Sequence, residues 1–101
     1  MEKMKNFING NYCDPISGEY LENYEPATGK VYCLIPNSDQ KDVDLAVKAA
    51  EEAFPIWSNM SKDKRSEILV RLSEGIESRM DEFVQAESKD NGKPVSLALA
   101  V

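Results

Sequence analysis

The sequence predicts a small α+β unit with two β-hairpins over residues 5–35 and two long amphipathic helices over 39–54 and 61–90. The start of a further helix follows at 94–101. Three observations predict it. Short runs of β-forming residues flank Asn9-Gly10 and Pro26-Ala27-Thr28-Gly29. Apolar side chains then switch to a spacing of three and four residues. Proline or glycine stands where each helical pattern ends.

The first hairpin is Lys5 to Asp14. Asn9-Gly10 is the pair that a two-residue turn of mirror-image type selects, because both central residues need positive φ. Phe7-Ile8 and Tyr12-Cys13 supply its arms, and Pro15 to Gly18 reads as a turn. Glu19 to Glu25 alternates as a strand with an exposed side, and Lys30 to Ile35, rich in β-formers, is its partner. Between them proline presets φ and Gly29 relaxes the exit.

The first helix opens after Pro36, with Ser38 or Asp39 as cap and Asp42 and Asp44 against the positive end of its dipole. Val43, Ala46, Val47, Ala50, Ala53 and Phe54 make its stripe, and Pro55 is expected to stop it. Phe54, Trp57 and Met60 are expected to fill the corner before the next helix.

The second helix organises the rest. Ser61 is its N-cap. Leu69, Leu72, Ile76, Met80 and Phe83 form the stripe, widened by Ile68 and Val84, while Asn91-Gly92 and Pro94 end it. As one rod, Ser61 to Asp90 would span roughly 45 Å, against a diameter of roughly 33 Å for a compact chain of this size. Either the helix kinks, near Gly75, or it lies against a larger body. The second is the expectation. The apolar helix opening at Pro94 reaches Val101 without cap, charge or glycine, as in a chain that continues.

Composition excludes several classes of function. The chain has 101 residues, of which 42% are hydrophobic and 30% charged, and its net charge is −6. An acidic balance opposes nucleic-acid phosphates. No apolar run approaches the ~18 residues of a membrane span, and the N-terminus lacks the apolar core of a secretory signal. A cytoplasmic location is expected.

There is no histidine, so no serine–histidine or cysteine–histidine pair can be built. The two cysteines, Cys13 and Cys33, read as small fillers of strands. The five glycines stand singly, which excludes a phosphate-cradling loop. Residue chemistry offers no catalytic residue and no cofactor-binding residue.

In order, FINGNY, NYEPATGKVYCLIPNSDQKDVDLAVKAAEEAFPIW, KRSEILVRLSEGIE and ESKDNGKP resemble the N-terminal part of the aldehyde dehydrogenase superfamily over nearly the whole chain. ESKDNGKP and VYCLIPNS are most similar to its aminomuconate or hydroxymuconate-semialdehyde and betaine-aldehyde branches. The resemblance implies the front end of an α/β Rossmann-like NAD-binding domain. In full-length members an aldehyde is oxidised to a carboxylic acid with NAD or NADP as hydride acceptor. It also implies a homo-oligomer when full length, with no nucleic-acid or membrane partner. The family's nucleophile, base and cofactor loops match nothing up to Val101, so the chain alone is expected to bind no cofactor and to be inactive.

One family feature does reach this region. Many members hold a structural monovalent cation on backbone carbonyls before the turn that here is Glu25 to Gly29. By motif those carbonyls belong to Asn23 and Tyr24. The family usually has asparagine where this chain has Glu25, and a companion aspartate would follow Val101. The expected function is thus an amino-terminal fragment of an NAD(P)-dependent aldehyde dehydrogenase. The alternative is a truncated, non-enzymatic homologue that docks on an intact subunit. Whether the chain acts as an enzyme stays open.

Overall fold

The computed structural model describes residues 1–100. In order they form β1 (Glu2–Lys3), β2 (Asn6–Ile8), β3 (Asn11–Cys13), β4 (Tyr20–Glu25), β5 (Lys30–Pro36), α1 (Gln40–Asn59), α2 (Lys62–Ser78), α3 (Met80–Asn91) and α4 (Val95–Ala100). This is the α+β class that the sequence predicts. Val101, the last residue of the helix expected at 94–101, lies outside the described residues. The chain divides into two units, residues 1–24 with 31–59, and residues 25–30 with 60–100.

In the first unit, Asn9 (φ 53°) and Gly10 (φ 78°) both take the left-handed conformation that the tight turn requires. The turn sets Phe7 opposite Tyr12 and Asn6 opposite Cys13 across the β2–β3 pair. The Phe7 and Tyr12 rings lie 5.0 Å apart, centre to centre, tilted by 53°, a geometry that aromatic pairs favour. This hairpin is a sheet of its own.

The second sheet has the order β1-β5-β4. Its outer strand β1 pairs in parallel with β5, with Glu2 opposite Cys33 and Lys3 opposite Leu34. That strand is absent from the sequence prediction, because two residues are too short to carry an alternation. Cys33, at the centre of β5, is fully buried.

Helix α1 starts with a reciprocal cap. The Asp39 carboxylate accepts the Lys41 amide (2.9 Å), and Asp42 Oδ2 accepts the Asp39 amide (3.0 Å), so two otherwise unpaired donors are satisfied. Asp42 Oδ1 also accepts the Ile16 amide at 2.9 Å. One carboxylate thereby fixes the helix start and the Pro15–Gly18 turn together. Asp42 is 4% exposed, and both amides hold its carboxyl below the ordinary value of 3.8, the Asp39 amide more strongly.

Pro55 does not stop α1, which corrects the expected boundary at 54. The helix runs on to Asn59. Proline removes one donor, but the surrounding residues are exposed, so water can serve the freed carbonyl. Asn59 Nδ2 (2.7 Å) and Ser58 Oγ (3.4 Å) both donate to the Pro55 carbonyl and reinforce the last turn. Phe54 is 65% exposed.

In the second unit, the single helix expected over 61–90 is two. Ser61 caps α2 as read, its hydroxyl accepting the Lys64 amide at 3.2 Å. The helix ends at Ser78, and Arg79 (φ −119°, ψ 26°) leaves helical geometry before α3 begins. The Arg79 amide bonds the Ile76 carbonyl at 3.0 Å, a tightened last turn. Ser78 Oγ donates to the Gly75 carbonyl at 2.8 Å, competing with the backbone ladder where glycine already weakens it. The Arg79 guanidinium then grips Glu82 at 2.7 Å in the first turn of α3. The alternative of a kink near Gly75 thus prevails over a continuous rod, with the break displaced to Arg79.

Helix α3 ends at Gly92, which is left-handed (φ 84°) and donates to the Ser88 carbonyl at 2.9 Å. Ser88 Oγ donates to the Lys93 carbonyl (2.7 Å), and Lys93 pairs with Glu87 (3.0 Å). Pro94 opens α4, its carbonyl accepting the Leu97 and Ala98 amides. Val84 on α3 and Ala98 on α4 are the buried hydrophobics of this unit. A Cβ on Gly92 would lie 2.9 Å from Pro26 Cβ, so the Glu25–Lys30 turn presses against this corner.

Two outcomes follow from this packing. Asp42→Asn keeps the side-chain size and removes the charge that both amides favour. Because the folded carboxyl titrates below its unfolded value, its stabilisation is present above about pH 4 and lost as pH falls through the folded value. Thermal melts should therefore show a lower Tm for the variant near pH 7, and a narrower gap between neutral and acid Tm than in the parent chain. An unchanged gap would show that Asp42 is not an acid-labile fastener.

Gly92→Ala forces a left-handed alanine, which costs about 1–2 kcal/mol, and adds the clash with Pro26. Gly18 has a similar φ of 74° with no atom near its missing Cβ, so Gly18→Ala reports the backbone cost alone. Chemical denaturation should rank Gly92→Ala as the more destabilising of the two. Equal losses would show that the Pro26 contact yields without cost.

Candidate cation site at the end of strand β4

The residues singled out from the sequence, Asn23 and Tyr24, are consecutive in β4, just before the turn that joins it to β5. Their side chains are engaged laterally. Asn23 Nδ2 donates to Tyr32 Oη (3.2 Å) and to Cys33 Sγ (3.5 Å), which ties β4 to β5. Tyr24 Oη donates to Glu22 Oε2 at 3.0 Å, and this bond raises the tyrosine pKa.

The Glu25 carbonyl is already committed, accepting the Gly29 amide at 2.8 Å and the Thr28 amide at 3.2 Å. Thr28 Oγ1 in turn donates to Glu25 Oε1 at 3.4 Å. That double acceptance explains how the Pro26–Gly29 turn closes.

Neutral carbonyl oxygens suit a hard monovalent cation, but such ions want about six oxygens, and this pair supplies two. Consecutive carbonyls of a strand also alternate between its edges, so both meet one ion only where the backbone bends toward the turn. No group of three or more histidine, cysteine, aspartate or glutamate side chains capable of holding a metal occurs among the described residues.

Both cysteines are free thiols, Cys13 half-buried and Cys33 fully buried. Cys33 touches the Asn23 amide and has no exposed sulfur for a substrate to approach. It is the strand filler that its context predicts.

A polar cluster that sequence spacing does not reveal lies in the first unit. Tyr20 Oη donates to Asp14 Oδ1 at 2.5 Å, Lys5 Nζ lies 3.6 Å from the same oxygen, and Lys3 Nζ sits 4.8 Å from the Tyr20 ring centre. The aspartate pushes the Tyr20 hydroxyl up to about 12, and Tyr20, then Lys5, lowers the Asp14 carboxyl. Asp14, Lys5 and Lys3 are exposed and Tyr20 is half-buried, and together they fasten strand ends. Among the described residues, no helix is long and apolar enough to cross a membrane.

The family model that matches is the aldehyde dehydrogenase family, over residues 12–100. The chain is 47% identical over 95 residues to the 2-aminomuconic semialdehyde dehydrogenase of Homo sapiens, covering 94% of this chain and 19% of that protein. It is 43% identical over 99 residues to the 2-hydroxymuconic semialdehyde dehydrogenase of Pseudomonas sp. strain CF600, covering 97% of this chain and 20% of that protein. Among solved structures, the NAD+ complex of an aldehyde dehydrogenase from Bacillus cereus superimposes with a TM-score of 0.93 at 39% identity, covering 98% of this chain and 21% of that one. The chain spans about a fifth of the length of the relatives it matches. With a match over nearly all its residues and the fold to go with it, this chain belongs to the aldehyde dehydrogenase family.

Proposed function

We propose that this chain is the amino-terminal portion of an NAD(P)-dependent aldehyde dehydrogenase, contributing a packing surface to the cofactor-binding domain and no catalytic group. The observation that carries this is the match over 94% of the chain to only 19% of a relative. The state of its apolar surface supports it. Leu69, Val70 and Leu72 on α2 are more than half exposed, at 57%, 53% and 58%. Side chains of this size stabilise a fold by about 1.5–3 kcal/mol each when fully buried. In this reading the remainder of a subunit covers them.

The division of labour follows from the residues. NAD or NADP supplies the hydride acceptor when bound, and the reacting thiol comes from elsewhere, since Cys33 is buried. A muconic semialdehyde is the substrate class, in line with the two semialdehyde dehydrogenases above. The assembly is a cytoplasmic homo-oligomer that binds neither nucleic acid nor membrane.

Complementation tests this reading. A family member lacking the matching first fifth should be inactive. Co-expression with the 101-residue chain should restore aldehyde-dependent NAD(P) reduction, and should do so with Cys33→Ser as well. Aldehyde oxidation by the 101-residue chain alone would refute the proposal.

The Asn23 and Tyr24 carbonyls are proposed as two ligands of a structural monovalent cation in that assembly, with the other oxygens supplied by the rest of the subunit. Binding to the folded state alone raises Tm with ligand concentration. The complemented enzyme should melt higher in sodium or potassium than in choline at equal ionic strength. Identical melting in all three would remove the cation from the account.

A further inference from the structure

Every residue of α2 is exposed except one, and the exception is a base. Arg65 is half-buried, while Ile68, Leu69, Val70 and Leu72 on the same helix remain exposed. The Arg65 Nε is shielded from solvent and has no hydrogen-bond partner. A shielded donor left unpaired is costly, so this side chain is the one point of α2 where a specific contact is owed.

The helix itself offers no partner. Side chains meet along a helix at separations of three and four residues, and those positions around Arg65 hold Ser61, Lys62, Ile68 and Leu69. None is an acid, and Lys62 adds a second positive charge to the groove that Arg65 lines. Glu74 lines the same groove but lies roughly 13.5 Å further along the helix. No ion pair found among the described residues includes Arg65. Arg65 also stands just past the Ser61 cap, toward the positive end of the helix dipole, where a base is disfavoured unless an acid neutralises it.

We propose that Arg65 takes the carboxylate of one aspartate or glutamate in the remainder of the subunit, and that this pair sets the register in which the remainder lies on α2. The inference rests on the reading of this chain as the amino-terminal portion of a longer dehydrogenase, and it gives one contact of that assembly its chemistry. Arginine suits the role. Its planar guanidinium can meet a carboxylate through two parallel hydrogen bonds, and it keeps its charge when covered. Backbone carbonyls could accept the same hydrogens but would leave the positive charge uncompensated in a covered contact. An acid supplies acceptor and countercharge together. A stripe of leucine and isoleucine recurs every three or four residues and tolerates a slip of one turn, whereas a single paired charge accepts one placement.

Substitutions in a full-length subunit that carries these 101 residues as its amino-terminal portion test the pairing. The readouts are thermal inactivation and aldehyde-dependent NAD(P) reduction. Arg65→Met keeps the apolar stem and leaves the acid unpaired, so it should inactivate about tenfold or more faster at a fixed elevated temperature. Arg65→Lys keeps the charge without the fork and should fall between. Arg65→Glu sets acid against acid and should be worse than Arg65→Met. Changing the acids of the remainder to lysine, one at a time, should then find one position that restores Arg65→Glu and damages the parent. Such reciprocal rescue is a coupling that a merely space-filling arginine could not give. The proposal is overturned by an Arg65→Met subunit as durable as the parent, by Arg65→Glu no worse than Arg65→Met, or by no restoring position among the acids. A parent subunit that folds but oxidises no aldehyde would instead overturn the dehydrogenase reading, and the pairing with it.

Discussion

Apolar side chains stabilise a fold only when they leave water, and in this chain few do. Among the described residues the buried hydrophobics are Cys33, Val84 and Ala98, all of modest size. Phe7, Tyr12, Phe54 and Leu99 remain mostly exposed. At roughly 25 cal/mol per Å², such a small core offsets only part of a backbone ordering cost of about 1–2 kcal/mol per residue. The scarcity of core sets the terms for everything else.

Local order therefore rests on polar fasteners that act over short range. The Asp42 carboxylate holds two amides from separate segments. The Glu25 carbonyl closes its turn by accepting twice. Ser61, Ser78 and Ser88 each spend a hydroxyl on a helix end. Individually such bonds are worth about 0.5–1.5 kcal/mol net. They define where elements start and stop without supplying a reason for helices to stay packed. Elements that are well formed but poorly covered are the signature of a surface built to be completed by other atoms, and the match to a fifth of larger dehydrogenases gives the same reading from a separate direction.

What the sequence disclosed follows the range of the interactions responsible. The Asn9-Gly10 turn, the Ser61 cap and the Gly92 terminus are each decided within a few residues, and each is in place. The break at Arg79 escaped because the hydrophobic period runs through it undisturbed. It is made by a serine hydroxyl and an arginine–glutamate grip on the solvent side. Pro55 misled for the complementary reason: a rule about lost hydrogen bonds weakens where the freed carbonyl is exposed. Asp42 could be placed at a helix start but not linked to Ile16, twenty-six positions away. For the proposed cation site, Asn23 and Tyr24 are assigned by family resemblance alone, because backbone carbonyls leave no trace in residue type.

The same physics bears on what can act at the uncovered helix. The stripe of α2 resembles the interior of a domain in its side chains, yet Lys62, Arg65, Glu74 and Glu77 border it with unpaired charge. A purely apolar cover would bury the Arg65 guanidinium without a partner, at a cost that apolar burial does not recover. A surface that covers the Arg65 end of α2 buries the guanidinium at least cost when it presents an acid there. This requirement is stricter than hydrophobicity alone, and it limits which segments of a longer relative can lie against this helix.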